Sequence, residues 1–315
     1  MIEEGVREDV ERVEGIREAL VIFNPSAGRA RPAVLDRARK VLAADGIESE
    51  LTLTDGPGAA LEIARRAACE QRQMVIVCGG DGTLNEAVNG LAGSQIPLAL
   101  LPAGTANILA KELELPWNAE KAAGLVARSR LRRIALGHVT TEKERQGRYF
   151  LSVGGAGPDG AIVNAVHRGL KAQTGTFAFW VEGLRQLVDY RFPRFRTTTA
   201  EGAIEGTFIV LGRTKHYGGP LRITTAASLF GNDFEILICT TESRWKYASY
   251  LPMVWAGILR EAKGARFLRA TTARCEPVGE EPVWVEVDGE AAGRLPAEFR
   301  IAPDALTLAV PELRN

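Results

Sequence analysis

Apolar residues are spaced in two rhythms along the chain. In the first 130 residues, short unbroken apolar runs, Ala19–Phe23, Val75–Cys78 and Ile96–Leu101, predict buried strands, with another strand near Glu48–Thr54. Between them, apolar positions recur at helical spacing: Val34, Ala38, Val41 and Leu42, then Leu61–Cys69, then Leu84, Ala87, Val88 and Leu91, then Ile108, Leu109 and Leu113. Strands alternating with helices argue for a doubly wound parallel sheet. From about Leu131 short alternating segments take over: Leu131–Val139, Tyr149–Val153, Phe195–Thr199, Thr207–Leu211, Phe234–Thr240, Phe267–Cys275 and Val283–Val287. Gly, Pro and charged turns separate them, and helical stretches at Phe177–Tyr190 and Trp245–Arg260 interrupt them. The expected fold class is therefore α/β plus mainly-β: a parallel-sheet domain over residues 18–130, then a β-sandwich domain over 131–302. Ala305–Val310 is strand-like, so residues 303–315 are a candidate for completing the first domain. Residues 1–17 place Ile2, Val6, Val10, Val13 and Ile16 at helical spacing, an amphipathic extension that docks either on the domain or on a partner.

Composition narrows the function without naming it. Lys plus Arg and Asp plus Glu number 39 each, so no whole-chain field draws nucleic acid, and none is expected as a partner. Cys69, Cys78, Cys239 and Cys275 are scattered, with no C-x-x-C pair, which reads as reduced thiols in a cytoplasmic protein. His138, His167 and His216 lie far apart, and no zinc site is indicated. The N-terminus lacks the apolar core of a signal peptide, and no run approaches a membrane span.

Candidate chemistry collects at the strand ends. Val75–Cys78 runs straight into Gly79, Gly80, Asp81, Gly82 and Thr83 and then into a helix, with Thr83 and Glu86 spaced as a capping box. Glycines at such a turn let a backbone approach a ligand, and the amides of the helix start favour phosphate. Glycine clusters also form turns that bind nothing, but a carboxylate amid phosphate-binding glycines is costly unless a metal or a transferable proton is involved. Asn24–Gly28, Thr54–Gly58 and Pro102–Asn107 follow the other three strands, so four turns rich in Gly, Thr, Asn or Asp share one sheet edge. Gly155–Gly160 matches G-x-G-x-x-G, a weak signal without a βαβ unit after it.

Taken in order, Asn24-Pro25-Ser26-Ala27-Gly28, Gly79-Gly80-Asp81-Gly82-Thr83-Leu84-Asn85-Glu86 and Pro102-Ala103-Gly104-Thr105-Ala106-Asn107 resemble the diacylglycerol kinase catalytic domain of bacterial lipid kinases and sphingosine kinases. The similarity continues through Gly154–Gly160, Tyr217-Gly218-Gly219, Val287-Asp288-Gly289-Glu290 and the ending Ala305–Pro311. The resemblance implies a kinase of lipid metabolism that uses ATP and magnesium to phosphorylate a lipid hydroxyl in a cleft between the domains. It implies that Asn24, Thr54, Gly79, Gly80, Asp81, Gly82, Thr83, Leu84, Asn85 and Thr105 bind the nucleotide. It gives the catalytic base to the Asp-Gly-Glu motif, Glu290 before Asp288, with Asp81 acting on nucleotide or magnesium. Asp288-Gly289 is also a common hairpin-turn pair. Bacterial relatives carry a structural magnesium near Leu229–Glu235, which makes Leu229, Asp233 and Phe234 candidate ligands, but Asn232-Asp233 leaves the register ambiguous.

Trp245, Tyr247, Tyr250, Leu251, Met253, Trp255, Ile258 and Leu259 between Arg244, Lys246 and Arg260 suit either a helix at a membrane surface or one packed inside. The expected partners are a lipid substrate and, transiently, the membrane surface, with a homo-oligomer among the compatible assemblies. NAD kinases and phosphofructokinases share the Gly-Gly-Asp-Gly-Thr turn and a related nucleotide domain. An NAD kinase-like enzyme, or a regulator that binds lipid or nucleotide without catalysis, is therefore the alternative.

Overall fold

The computed structural model describes residues 13, 15–169, 190–217 and 221–312. Most of the expected N-terminal extension, the helical stretch from Phe177 to residue 189, and Gly218 and Gly219 lie outside them.

The first half alternates as its periodicity predicts. Strands β1 (Glu18–Phe23), β2 (Glu48–Leu53), β3 (Val75–Gly79) and β4 (Pro97–Pro102) are separated by α1 (Pro32–Ala44), α2 (Ala59–Cys69) and α3 (Asp81–Leu91), and α4 (Ile108–Glu112) and α5 (Ala119–Val126) follow. The four strands are parallel in the order β2-β1-β3-β4. Burial on both faces explains the unbroken apolar runs. Helices α1 and α5 cover one face through Leu35, Leu42 and Val126, and α2 and α3 cover the other through Ala64, Val88 and Leu91. The order reverses between β1 and β3, so their two turns flank the crevice where such sheets bind ligands. The expected capping box is absent. Glu86 instead accepts from the amides of Gly58 at 2.7 Å and Ala60 at 3.1 Å, so the carboxylate caps the neighbouring α2.

The second half contains β5 (Ser129–Thr141), β6 (Arg148–Phe150), β7 (Val153–Ala156), α6 (Pro158–Gly169), β8 (Phe195–Thr199), β9 (Gly202–Gly206), β10 (Phe208–Gly212), β11 (His216–Tyr217) and β12 (Leu221–Arg222). It continues with β13 (Phe234–Cys239), α7 (Arg244–Ala256), β14 (Ala265–Ala270), β15 (Thr272–Pro277), β16 (Trp284–Val287), β17 (Glu290–Arg294) and β18 (Ala297–Pro311). An antiparallel sheet ordered β14-β13-β10-β7-β16-β17 packs on the face made by β5, β8, β15 and β18, with Phe150, Phe195, Phe234 and Phe299 in the core between them. The single strand expected over Phe267–Cys275 is two, because Thr271 ends β14 and the next residues pair in the other sheet. The helix expected to reach Arg260 stops at Ala256, where Gly257 takes the left-handed conformation with φ +72.

Strand β18 joins the halves. Its start, Ala297–Arg300, pairs with β15, whereas Thr307 and Leu308 pair in parallel with β4. Strand β5 runs antiparallel beside it from Ser129 to Thr141, with a register shift between Ala302 and Leu306. Both of the sequence-based domain borders, 130/131 and 302/303, thus fall inside continuous strands.

Candidate active site

The glycine turn lies at the sheet's switch point. Gly80 is the N-cap of α3 and brings no side chain to the first amides of the helix, which leaves them for an anion. The Pro102–Asn107 turn sits directly against it: a β-carbon on Gly104 would lie 2.5 Å from the Gly80 α-carbon. Asp81 locks the two turns together, because its carboxylate accepts from the amides of Asn107 at 2.8 Å and Ile108 at 2.7 Å. Burial raises its pKa despite those donors. Asn107, left-handed with φ +42, donates its amide side chain to the Gly79 carbonyl at 3.1 Å and accepts from the Gly104 amide at 2.7 Å. On the β1 side, Asn24 donates to the Thr83 hydroxyl at 2.8 Å. Thr105 is exposed beside Gly28, and Thr54 sits at the end of β2 with its amide on the Phe23 carbonyl at 2.9 Å.

Two residues expected at the nucleotide are elsewhere. Leu84 is part of the core beneath the sheet, and its amide donates to the Gly80 carbonyl at 3.0 Å. Asn85 is 2% exposed and points to the second domain, donating to Asp288 Oδ2 at 3.0 Å. One turn on, Asn89 donates to the Tyr149 carbonyl at 2.9 Å and accepts from the Tyr149 amide at 2.9 Å. Sequence reading missed Asn89 and its role, although its i+4 spacing from Asn85 puts both on one helix face.

The facing wall is the β16–β17 hairpin. Asp288 and Gly289 have φ +48 and +79, the two left-handed residues of a tight turn. The Asp288 carboxylate also accepts from the amides of Leu151 at 2.7 Å, Ser152 at 2.9 Å and Val153 at 2.9 Å. With Asn85 as a fourth donor its oxygens are committed, and burial still pushes its pKa up to about 6. Glu290 is different: it is half-buried and held by Arg148, and a β-carbon on Gly82 would lie 3.3 Å from its Oε1. A carboxylate of the second domain therefore overhangs the start of α3. Behind it, Glu286 accepts from the Gly289 amide at 2.8 Å, and Asp159 accepts from the Tyr217 hydroxyl at 2.9 Å. Burial raises Asp159 to about 7 and Glu286 well above the usual carboxylate range, with Asp159 adding to the cost of ionising Glu286.

Two family models divide the chain at this cleft: the diacylglycerol kinase catalytic domain matches residues 18–139, and the YegS C-terminal NAD kinase beta sandwich-like domain matches residues 152–310. A diacylglycerol kinase of Mycobacterium tuberculosis (strain ATCC 25618 / H37Rv) is 30% identical over 249 residues, 78% of this chain and 79% of that protein. The chain belongs to the diacylglycerol kinase family. The family's Bacillus subtilis (strain 168) diacylglycerol kinase is 27% identical over 299 residues, covering 90% of this chain and 93% of that protein. A crystal structure of a diacylglycerol kinase from Bacillus anthracis str. Sterne shares the fold with a TM-score of 0.69, at 19% identity over 97% of this chain and 98% of that one. Another structure from the same strain gives a TM-score of 0.77 at 20% identity, with 99% of both chains covered.

The three candidate ligands for a structural magnesium are engaged by other groups of the protein. Asp233 is held by both Nε and Nη2 of Arg269 at 2.6 Å, and Phe234 is fully buried within the β13 ladder. The Leu229 carbonyl accepts from Arg213 at 2.7 Å. The same guanidinium, fully buried, also donates to the carbonyls of Ala135 at 2.7 Å and Gly231 at 2.8 Å. An organic cation thus fills the ring of carbonyls, and among the described residues no three His, Cys, Asp or Glu side chains converge on a metal position. Nothing in the spacing around Arg213 announced this, because its partners are main-chain oxygens from distant segments.

Proposed function

We propose that the protein is a lipid kinase that transfers the γ-phosphate of ATP to the hydroxyl of diacylglycerol or a similar single-hydroxyl lipid. The observation that carries the reading is the placing of Glu290 over Gly82. A carboxylate stands where an alcohol could be poised against a phosphate held at the start of α3. The glycine turn fits polyphosphate, since Gly80 leaves the first helix amides uncapped and Gly104 packs too closely on Gly80 for any side chain to fill the cradle. Nucleotide with magnesium supplies the transferable phosphoryl group and the neutralisation of its charge. Glu290 takes the proton from the attacking hydroxyl, and Arg148 orients it. Asp288 is a positioning residue: with its oxygens on Leu151, Ser152, Val153 and Asn85, it fixes the hairpin that carries Glu290 against α3. Asp81 likewise shapes the turn, because both of its oxygens are used on Asn107 and Ile108. Asn24 and Thr105, at the same edge, are placed to hold the nucleotide beside Thr83.

The test is transfer of labelled γ-phosphate to a panel of lipids in mixed micelles with magnesium, with NAD as a water-soluble acceptor for comparison. Transfer to one lipid class, lost in Glu290→Gln, is the expected result. Labelled NAD in place of lipid, or transfer undiminished in Glu290→Gln, would overturn it.

A further inference from the structure

Helix α7 lies on the face of the six-stranded sheet opposite the sandwich core. Its inward side, Tyr247, Tyr250 and Val254, packs on Val210, Leu237 and Cys239. Tyr247 stacks on Phe192 with ring centroids 4.5 Å apart, and its hydroxyl lies 2.8 Å from that of Thr207. This side settles one of the two readings of the sequence, since the helix does pack on the protein.

Its outward side fits the other reading as well. A surface helix ordinarily turns polar residues to solvent. Here Trp245 is 80% and Trp255 68% exposed, with Leu251 at 40% and Ile258 at 42% just past the helix end. Ten residues of helix separate the two indoles by about 15 Å along the axis and about 80° around it, so both lie on the outward half and form a broad apolar stripe with Leu251. Cations border it: Lys246 at the start and Lys263 after the end, both exposed. Glu242 and Glu261 are the acids nearest in sequence, and Glu242 already faces Arg194. A second copy of the chain docked through this stripe would bring like charges together, whereas an anionic lipid surface matches both the indoles and the cations.

We propose that α7 is an interfacial helix that lays Trp245, Leu251, Trp255 and Ile258 into the headgroup layer of an anionic bilayer, with Lys246 and Lys263 on the lipid phosphates. The choice of partner rests on the lipid-kinase reading. The position suits that role: the apolar cluster under α7 extends to Val153, whose amide holds Asp288, and to Tyr217, whose hydroxyl holds Asp159. The sheet that presents Glu290 to the cleft is thus the sheet that α7 would anchor.

Vesicle flotation without nucleotide tests the docking apart from catalysis. Vesicles of phosphatidylcholine with phosphatidylglycerol should bind the protein about tenfold more tightly than phosphatidylcholine alone. Trp245→Ser with Trp255→Ser should weaken that binding about tenfold or more at an unchanged melting temperature, and Lys246→Glu with Lys263→Glu should remove the preference for phosphatidylglycerol. Phosphorylation of a short-chain diacylglycerol dissolved as monomers should persist in both pairs of variants. Vesicle binding unaffected by the tryptophan substitutions, no binding by the parent protein, or a dimer that those substitutions split would overturn the proposal. Intact vesicle binding with no transfer to any lipid would instead overturn the kinase reading and leave the docking surface standing.

Discussion

At the end of β3 the chain removes side chains, whereas at the end of β16 it buries them. The glycine turn offers main-chain donors because Gly80 and Gly104 have nothing else to offer, and its one acid, Asp81, is fully used in holding the turn. The Asp-Gly-Glu hairpin collects carboxylates and ties two of them to main-chain donors: Asp288 has four donors, three of them amides, Glu286 has the Gly289 amide, and Glu290, paired with Arg148, overhangs the cleft. A polyanion needs donors fixed in advance, and a proton acceptor needs a carboxylate with room to act. The two walls divide those tasks.

The contrast is broken most sharply at Glu290. Glu290→Gln should lower kcat by roughly 10²–10⁴-fold with little change in melting temperature, since it removes the acceptor and keeps the shape. Asp288→Asn should instead reduce stability together with activity, because it disturbs the ties to Leu151–Val153; comparing kinetics with thermal melts separates the two roles. Arg213→Met should cost about 3 kcal/mol, since three buried carbonyls lose their donor, and chelators should leave the melting temperature of the parent protein unchanged. Gly104→Ala should cost about 2 kcal/mol and weaken nucleotide binding, because the added methyl meets the Gly80 backbone rather than a movable side chain. The smallest effect is on pH. Asp288 and Asp159 are raised from the ordinary value of 3.8 to about 6 and about 7. The folded state therefore binds their protons more tightly than the unfolded chain does, and the stability this adds is lost as pH rises through 6 to 7. Melting temperature should be higher near pH 5.5 than near pH 8 from this source, and Asp159→Asn should flatten the difference.

The parallel sheet and its glycine turns were legible because strands buried on both faces read as unbroken apolar runs that end in turn residues. Glu290 was legible only through the family motif, since Asp288-Gly289 is a hairpin turn in its own right and the structure makes it one. Asp81, Leu84 and Asn85 lie in that motif but serve the turn, the core and the domain contact. A motif records which residues occur together, not which way each side chain points. Strand β18 was underestimated at both ends, as Arg300 and Asp304 break the apolar pattern where it passes between layers. Arg213 and Glu86 were not legible, because their partners are backbone groups that only folding brings near.

In mechanical terms, the paired β5 and β18 act as a flat spring. A cleft between two domains joined by a loose linker opens by swinging, but here two adjacent strands cross the border side by side, from Ser129 to Thr141 and from Ala297 to Pro311. The pairing of this spring is interrupted by the register shift between Ala302 and Leu306, where Asp304 is left-handed with φ +47. Asn85, Asn89 and Glu112 add cross-ties, the last to the amide and ring of His216. The paired strands and these cross-ties together hold Glu290 at its station over the glycine turn.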